Sequence, residues 1–429
     1  MFYDYSMRFD LKNSNSNALN GLAEMAKNSQ VIRLDIGISN EADEMPCFCE
    51  INSLILPILD YENDFEVWIH NFPYCTQPAV CYDHIVVDNL GEKTSVCGQC
   101  KYFKLCSGFP LGYFDKYGES GVKPIADKPI EVMFEIEPSC NFSCHFCFNK
   151  ISFAEQGREI KKYTTDEAKI IITKIAEAKI EIIRFTGGEP LLRKDIFELI
   201  KFAHDLGLKV WLNTNGSLVN SETVGEIKGL VENVLIPIES FDALEEEKIT
   251  GFKNSLEKKL EAVKLLKHAG IKTVRVGTIA IPDNIKNFYK LSELILNLPI
   301  DEWEFYYPVG GNLEKSEIES LVDQILELRK KTEKEIIIAN SIPFCKIDEP
   351  QKLNLVCRGA LFDNGHSRLA IDPRGFVKPH YFVNKNIGNP EDIMSAWNHE
   401  YMRALRNLEF LPEECEGCRF KFKCRGGGR

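Results

Sequence analysis

Three cysteines in the run Cys140-Asn141-Phe142-Ser143-Cys144-His145-Phe146-Cys147 are spaced C-x3-C-x2-C. Three thiolates are one short of the four that close a four-iron, four-sulfur cube. A cube held by three keeps one iron open, and an open coordination position is where a metal site does chemistry. The same spacing also marks one face of a helix, where Cys packs as a small hydrophobe, and it would serve a zinc site.

The strands before and after the cysteines fix their place. Pro129-Ile-Glu-Val-Met-Phe-Glu-Ile-Glu137 reads as a strand ended by Pro138-Ser139. The cysteines therefore leave a strand's C-terminal end, where α/β barrels carry their active sites. A second strand at residues 180–185 runs into Thr186-Gly187-Gly188-Glu189-Pro190. Paired glycines let backbone N–H and C=O groups approach a ligand closely. Those groups suit an amino and carboxylate headgroup, with Glu189 accepting from the ammonium. Taken alone, the motif also reads as a turn before a helix.

Together, Cys140/Cys144/Cys147 and Gly187-Gly188-Glu189-Pro190 resemble the radical S-adenosylmethionine (SAM) enzyme family over roughly residues 128–312. The resemblance implies a [4Fe-4S] cluster whose open iron chelates the amino and carboxylate groups of SAM. One electron then cleaves SAM to methionine and a 5′-deoxyadenosyl radical, which takes a hydrogen atom from the substrate. It also implies an electron donor such as flavodoxin or ferredoxin.

The pattern continues as strand–helix units. Thr164 and Glu167 have capping-box spacing ahead of a stripe of Ala168, Ile171, Ile172 and Ile175. Residues 195–206 read as a helix stopped by Gly207, and residues 316–331 as another, with Ser316 and Glu319 spaced as a capping box. Strands are expected at 209–212, 234–238, 273–280 and 302–308. Six units make a partial (β/α)6 TIM-like barrel, the α/β fold that the resemblance implies. By resemblance Asn213, Thr214 and Asn215 lie near SAM, and Glu239 stands where the family usually has Asp and contacts the ribose. Arg275, mid-strand, points inward to a carboxylate or outward to solvent.

Composition narrows the class. The chain has 429 residues and a formal net charge of −12, which argues against a nucleic-acid binder. No membrane span is expected: the longest apolar run, near Leu54, is short and broken by Pro57. The N-terminus lacks the features of a signal peptide, so a cytoplasmic protein is expected. Fifteen cysteines in a reducing compartment point to metal rather than disulfides.

The C-terminal part, residues 336–429, is expected to be a small α+β domain. Leu369-Ala-Ile-Asp-Pro-Arg-Gly-Phe-Val-Lys-Pro-His380 reads as a hairpin turning at Asp372-Pro-Arg-Gly375. The ending Cys415-x2-Cys418-x5-Cys424 resembles the auxiliary-cluster regions called SPASM or twitch. By that resemblance Cys415, Cys418 and Cys424 bind an auxiliary [4Fe-4S] cluster, with Cys357 as fourth ligand and Cys345 its rival. A zinc ribbon is the alternative. His380 replaces the family's usual Cys, Tyr381 replaces the acid of sulfatase-maturing members, and no further cysteines follow. One twitch-like cluster fits better than a SPASM pair. His380 is a possible ligand, although a surface position is its ordinary fate.

Residues 1–127 form a cysteine-rich acidic domain, with 18 acidic against 9 basic side chains and seven cysteines. Cys97-x2-Cys100-x5-Cys106 repeats the C-terminal spacing, and Asp88 three residues before Gly91 echoes the hairpin turn. This reads as a weak internal repeat. Cys97, Cys100 and Cys106 are expected ligands of a third cluster or a zinc ion, with Cys81 or Cys75 the fourth. Cys47 and Cys49 belong to neither. Residues 123–129 read as the linker into the barrel domain, residues 128–335.

The leading expectation is a radical SAM enzyme acting on a peptide or protein. The second is the same chemistry on a small metabolite or cofactor precursor. The third is a non-catalytic iron–sulfur electron carrier, against which the intact cysteine triad and Gly187–Pro190 argue.

Overall fold

The structure, a computed structural model, describes residues 6–11, 19–28, 33–38, 48, 58, 66–73, 75, 85–87, 91–94, 97, 100, 102, 105–119, 122, 127–147, 162–308, 313–360, 365–416, 418 and 420–427. Contacts divide the chain into two compact units: Lys128–Glu416 with Cys424–Arg429, and Met1–Asp127 with Gly417–Lys423.

The larger unit is built on one nine-stranded sheet. Its six central strands are β5 (Glu131–Glu137), β6 (Ile182–Gly187), β7 (Lys209–Asn213), β8 (Val231–Pro237), β9 (Thr273–Ile279) and β10 (Glu302–Tyr306). They pair in parallel in chain order, as the six strand–helix units require. β11 (Glu335–Ile338) extends the β10 edge in parallel. At the other edge β12 (Arg368–Ile371) pairs in parallel with β5, and β13 (Val377–Lys378) returns antiparallel. The hairpin expected at Asp372–Gly375 is thus present, and it lies on the barrel sheet itself.

Strand alternation separates two environments. Val132, Phe134, Ile183, Phe185, Val210, Leu212, Val274, Val276 and Phe305 are buried, forming the apolar face. The opposite face carries Glu131, Glu135, Arg184, Arg275 and Glu304, equally buried but paired with one another or with later residues. The helix Thr165–Glu177 has the expected Thr164/Glu167 capping box and buries Ala168, Ile171, Ile172 and Ile175. The helix Lys315–Arg329 starts one residue earlier than expected, because Glu314 and Glu317 form its capping box in place of Ser316 and Glu319. Glu314 N donates to Glu317 Oε2 at 2.8 Å and Glu317 N to the Glu314 carbonyl at 3.0 Å, so the sequence offered two overlapping starts.

The smaller unit contains a fully parallel four-stranded sheet: β1 (Ser6–Leu11), β2 (Arg33–Ile38), β3 (Glu66–His70) and β4 (Ile85–Val86). Leu34, Ile36, Val67, Ile69, Phe72 and Phe109 form its core with the helix Leu19–Asn28. Among the described residues no helix is long and apolar enough to cross a membrane.

Candidate active site

The cysteine loop leaves the C-terminal end of β5, and its backbone is tied down on two sides. Gly188 N donates to Glu137 O at 2.7 Å and Glu189 N to Ser139 O at 2.8 Å. A Cβ on Gly188 would lie 2.2 Å from Ser139 O, and one on Gly187 2.4 Å from Glu137 O. The glycine pair is therefore required for close strand-to-loop approach inside the protein, whatever it does for a ligand. On the other side Ser143 N donates to Thr250 O at 2.7 Å, at the end of the helix Ala243–Thr250. Phe142 stacks on Phe252 with centroids 4.6 Å apart.

The loop after β7 closes the third side. Asn215 Nδ2 donates to Asn141 Oδ1 at 2.8 Å, Asn141 Nδ2 to Ser217 Oγ at 2.8 Å, and Ser217 N to Asn215 Oδ1 at 2.9 Å. Glu189 is fully buried and receives Leu191 N, Thr214 Oγ1 and Asn215 N at 3.0, 2.8 and 2.7 Å. The Glu189 carboxylate thereby clasps the Gly-Gly-Glu-Pro loop to the Asn213–Asn215 loop. Its Oε2 takes one of these donors and keeps a second acceptor position. Burial pushes Glu189 up to about 7 against the pull of those three donors.

Glu239 follows β8 and is also buried, with Oε2 accepting from Ile279 N at 2.8 Å. Burial and then the like charge of Glu246 push it up to about 8. Glu246 Oε2 accepts from Glu239 N and Ser240 N at 3.0 and 2.6 Å, and its Oε1 from Lys259 Nζ at 2.5 Å. Lys259 Nζ lies 5.4 Å from the Phe142 ring centroid. Glu246 and Lys259 are thus members of the site that the sequence did not reveal. They sit thirteen residues apart on two helices, a separation with no local signature.

The surroundings of Cys140 and Cys144 carry groups that favour thiolate. Cys140 Sγ accepts from Phe142 N at 3.4 Å and from Asn215 Nδ2 at 3.8 Å. Burial raises Cys140 and pushes Cys144 up to about 11, and Lys259 pulls Cys144 the other way. Iron ligation needs thiolates, and N–H donors and a nearby ammonium favour that form. Among the described residues no three of His, Cys, Asp or Glu converge as ligands of a single ion. A cube takes its cysteines at separate corners.

Buried ion pairs along the strands fill the sheet's polar face. Arg184 pairs with Glu131 and donates to Asn213 Oδ1 at 3.1 Å, and Arg368 reaches Glu131 Oε2 at 2.9 Å. Burial would raise Glu131, but Arg184 and Arg368 hold it down at about 2. Arg275 points inward to a carboxylate: it donates to Glu304 Oε2 at 2.7 Å and Asn233 Oδ1 at 2.8 Å. Lys378 binds Glu135 at 3.0 Å, tying the C-terminal hairpin to β5.

In the C-terminal part, Cys357 is buried; its Sγ donates to Asn340 O at 3.4 Å and accepts from Gly359 N at 3.3 Å. Ser341 Oγ donates to Cys424 O at 3.0 Å, so Cys357 and Cys424 flank consecutive residues. Cys345 is exposed on the turn Phe344–Lys346, and Cys415 ends the turn Glu413–Cys415. Cys418 O accepts from Lys421 N in the smaller unit. His380, expected at the surface, is buried, with Nδ1 accepting from Phe382 N at 3.3 Å. In the smaller unit Cys75, Cys97, Cys100 and Cys106 line one cavity. Cys81, Cys47, Cys49 and Asp88 lie outside the described residues.

Residues 134–295 match the family model described as the radical SAM superfamily. The chain is 27% identical over 325 residues to the PqqA peptide cyclase of Bradyrhizobium diazoefficiens, covering 70% of this chain and 81% of that protein. It is 25% identical over 321 residues to the AdoMet-dependent heme synthase of Oleidesulfovibrio alaskensis, covering 69% and 81%. The crystal structure of Streptococcus suis SuiB bound to S-adenosylmethionine superposes with a TM-score of 0.56 at 15% identity, over 70% of this chain and 73% of that one. That likeness concerns the fold.

Proposed function

From the premise that this chain is a radical SAM superfamily enzyme, we propose that it abstracts hydrogen from a peptide substrate. Cys140, Cys144 and Cys147 would hold a [4Fe-4S] cluster. With SAM bound, that cluster would supply the one electron that cleaves SAM to methionine and a 5′-deoxyadenosyl radical. The observation that carries the reading is the joining of the cysteine loop to the Gly-Gly-Glu-Pro and Asn213–Asn215 loops through Gly188, Glu189 and Asn215.

The chain's own residues have separate tasks. Asn215 and the Phe142 amide direct donors at Cys140 Sγ. Glu189 Oε2 would accept from the SAM ammonium, and Glu239, after β8, would meet the ribose hydroxyls. The ion pairs of Glu131 and Glu304 occupy the polar face of the sheet, and substrate would enter from the cysteine-loop side. Cys357, Cys415 and Cys424 of the larger unit would contribute to one auxiliary cluster, passing electrons to or from the site. A flavodoxin or ferredoxin would be the reductant.

The peptide reading is supported by the PqqA peptide cyclase relative; the heme synthase relative favours a second reading, a tetrapyrrole-sized metabolite. Reconstituted protein with dithionite and SAM should release 5′-deoxyadenosine, and Cys144→Ala should abolish release while iron at the auxiliary site remains. No 5′-deoxyadenosine at saturating SAM defeats the enzyme reading. Deuterium transfer into 5′-deoxyadenosine from a labelled candidate peptide, and none from a labelled tetrapyrrole, supports the peptide; the reverse overturns it.

A further inference from the structure

We propose that Cys75, Cys97, Cys100 and Cys106 form a tetrathiolate site for one metal ion, zinc in the first instance, within the N-terminal unit. All four line a single cavity of about 20 Å³, together with Lys93 and Phe109. They are outside any disulfide. The sequence left Cys81 and Cys75 as alternatives for the fourth position, and the fold brings Cys75 to the other three.

The backbone beside Cys106 is arranged for its sulfur as a hydrogen-bond acceptor. Gly108 N donates to Cys106 Sγ at 3.4 Å, and Gly108 has φ +81°. A Cβ there would lie 2.5 Å from Glu92 O, so only glycine turns this amide back on the thiol. Cys357 and Gly359 repeat the arrangement, with Gly359 at φ +67° and its amide 3.3 Å from the sulfur. Cys97 N bonds to Thr94 O at 3.1 Å and Cys100 N to Cys97 O at 2.9 Å, a tight turn presenting Cys97 and Cys100 together. Thr94 Oγ1 lies 3.7 Å from Cys97 Sγ. Amide donors to sulfur stabilise metal-bound thiolates, and the Lys93 ammonium offsets part of the double negative charge of a zinc tetrathiolate.

The packing gives the ion a task. Cys75 packs against the main core of the unit, around Phe72 and Phe109. Cys100 and Cys106 pack against a separate small core of Ile85 and Tyr102. Among the described residues only Ile85 and Tyr102 are buried in this second core, and small domains with little apolar burial use metals as cross-links. An ion bound by cysteines from both cores would join them. The cavity has room for about one water-sized occupant, which fits a single ion better than a cube of four irons and four sulfides. Among the described residues no three ligands are already gathered around one point. Metal binding would have to draw these thiols together.

The test is metal content of the full-length protein isolated anaerobically without added metal. Zinc at about one per chain is expected, lost in Cys75→Ser and Cys100→Ser and kept in Cys81→Ser. Zinc X-ray absorption on the unmodified chain should give four sulfur neighbours at about 2.3 Å, a reading independent of whether the variants fold. Zinc retained by both serine variants, fewer than four sulfurs, or loss of four irons rather than zinc overturns the proposal. None of these readouts requires SAM cleavage.

Discussion

Asn215 Nδ2 donates to Asn141 Oδ1 across 2.8 Å, joining the loop after β7 to the loop that carries the cysteines. The same amide lies 3.8 Å from Cys140 Sγ, so one side chain both positions the loop and polarises its first thiol. Asn215→Ala should leave the iron count unchanged and slow 5′-deoxyadenosine release about tenfold, the effect of roughly 1.4 kcal/mol. Iron analysis beside single-turnover release checks both halves. Full activity would remove Asn215 from the site.

Gly188→Ala places a methyl group 2.2 Å from Ser139 O and 2.6 Å from Ser139 C. Both are backbone atoms, so relief requires moving the cysteine loop. A loss of about 2 kcal/mol in urea unfolding is expected, with reduced iron uptake. Gly225→Ala, in the helix Ser221–Ile227 with no atom near its added Cβ, should be neutral or stabilise by up to about 1 kcal/mol.

Lys259 and Glu246 form a fully buried ion pair beside Phe142. Lys259→Met leaves an uncompensated carboxylate, and a loss of about 3 kcal/mol or more is expected from chemical denaturation. Lys259→Met with Glu246→Gln should recover part of that loss, because the glutamine oxygen still accepts from the Glu239 and Ser240 amides. A double variant no better than the single would mean that packing, not charge, sets the cost.

Glu239 is pushed from 4.5 to about 8, by burial first and by Glu246 second. The folded state therefore holds this proton more tightly than the unfolded chain. The resulting stability is fully present below pH 4.5 and is lost as pH rises to about 8. Glu239→Gln keeps the acceptor for Ile279 N and should flatten the fall between about pH 5 and 8. Urea midpoints across that range check it; parallel wild-type and variant slopes would assign the pH dependence elsewhere.

Several features were legible before the fold because their signals are local. The six central strands follow from apolar alternation, and the Thr164/Glu167 cap from a four-residue spacing. The inward direction of Arg275 was not decided by its strand, since Glu304 belongs to the neighbouring strand. His380 looked like a surface residue because nothing nearby in sequence buries it. Cys75 could not be preferred to Cys81 from spacing, because loop length constrains reach but not direction.

The amino-acid sequence by itself determined the chemistry available: three thiols in C-x3-C-x2-C on a strand-end loop, a glycine pair at the next strand end, and two further C-x2-C-x5-C elements. Tertiary structure alone decided what holds them. It made Glu189 a clasp between loops, placed Lys259 against Phe142, and set Cys75 on the same cavity as Cys97, Cys100 and Cys106. The reason is physical. Ligand type and spacing are properties of a short segment, whereas burial, charge pairing and the approach of distant thiols depend on contacts between residues far apart in the chain.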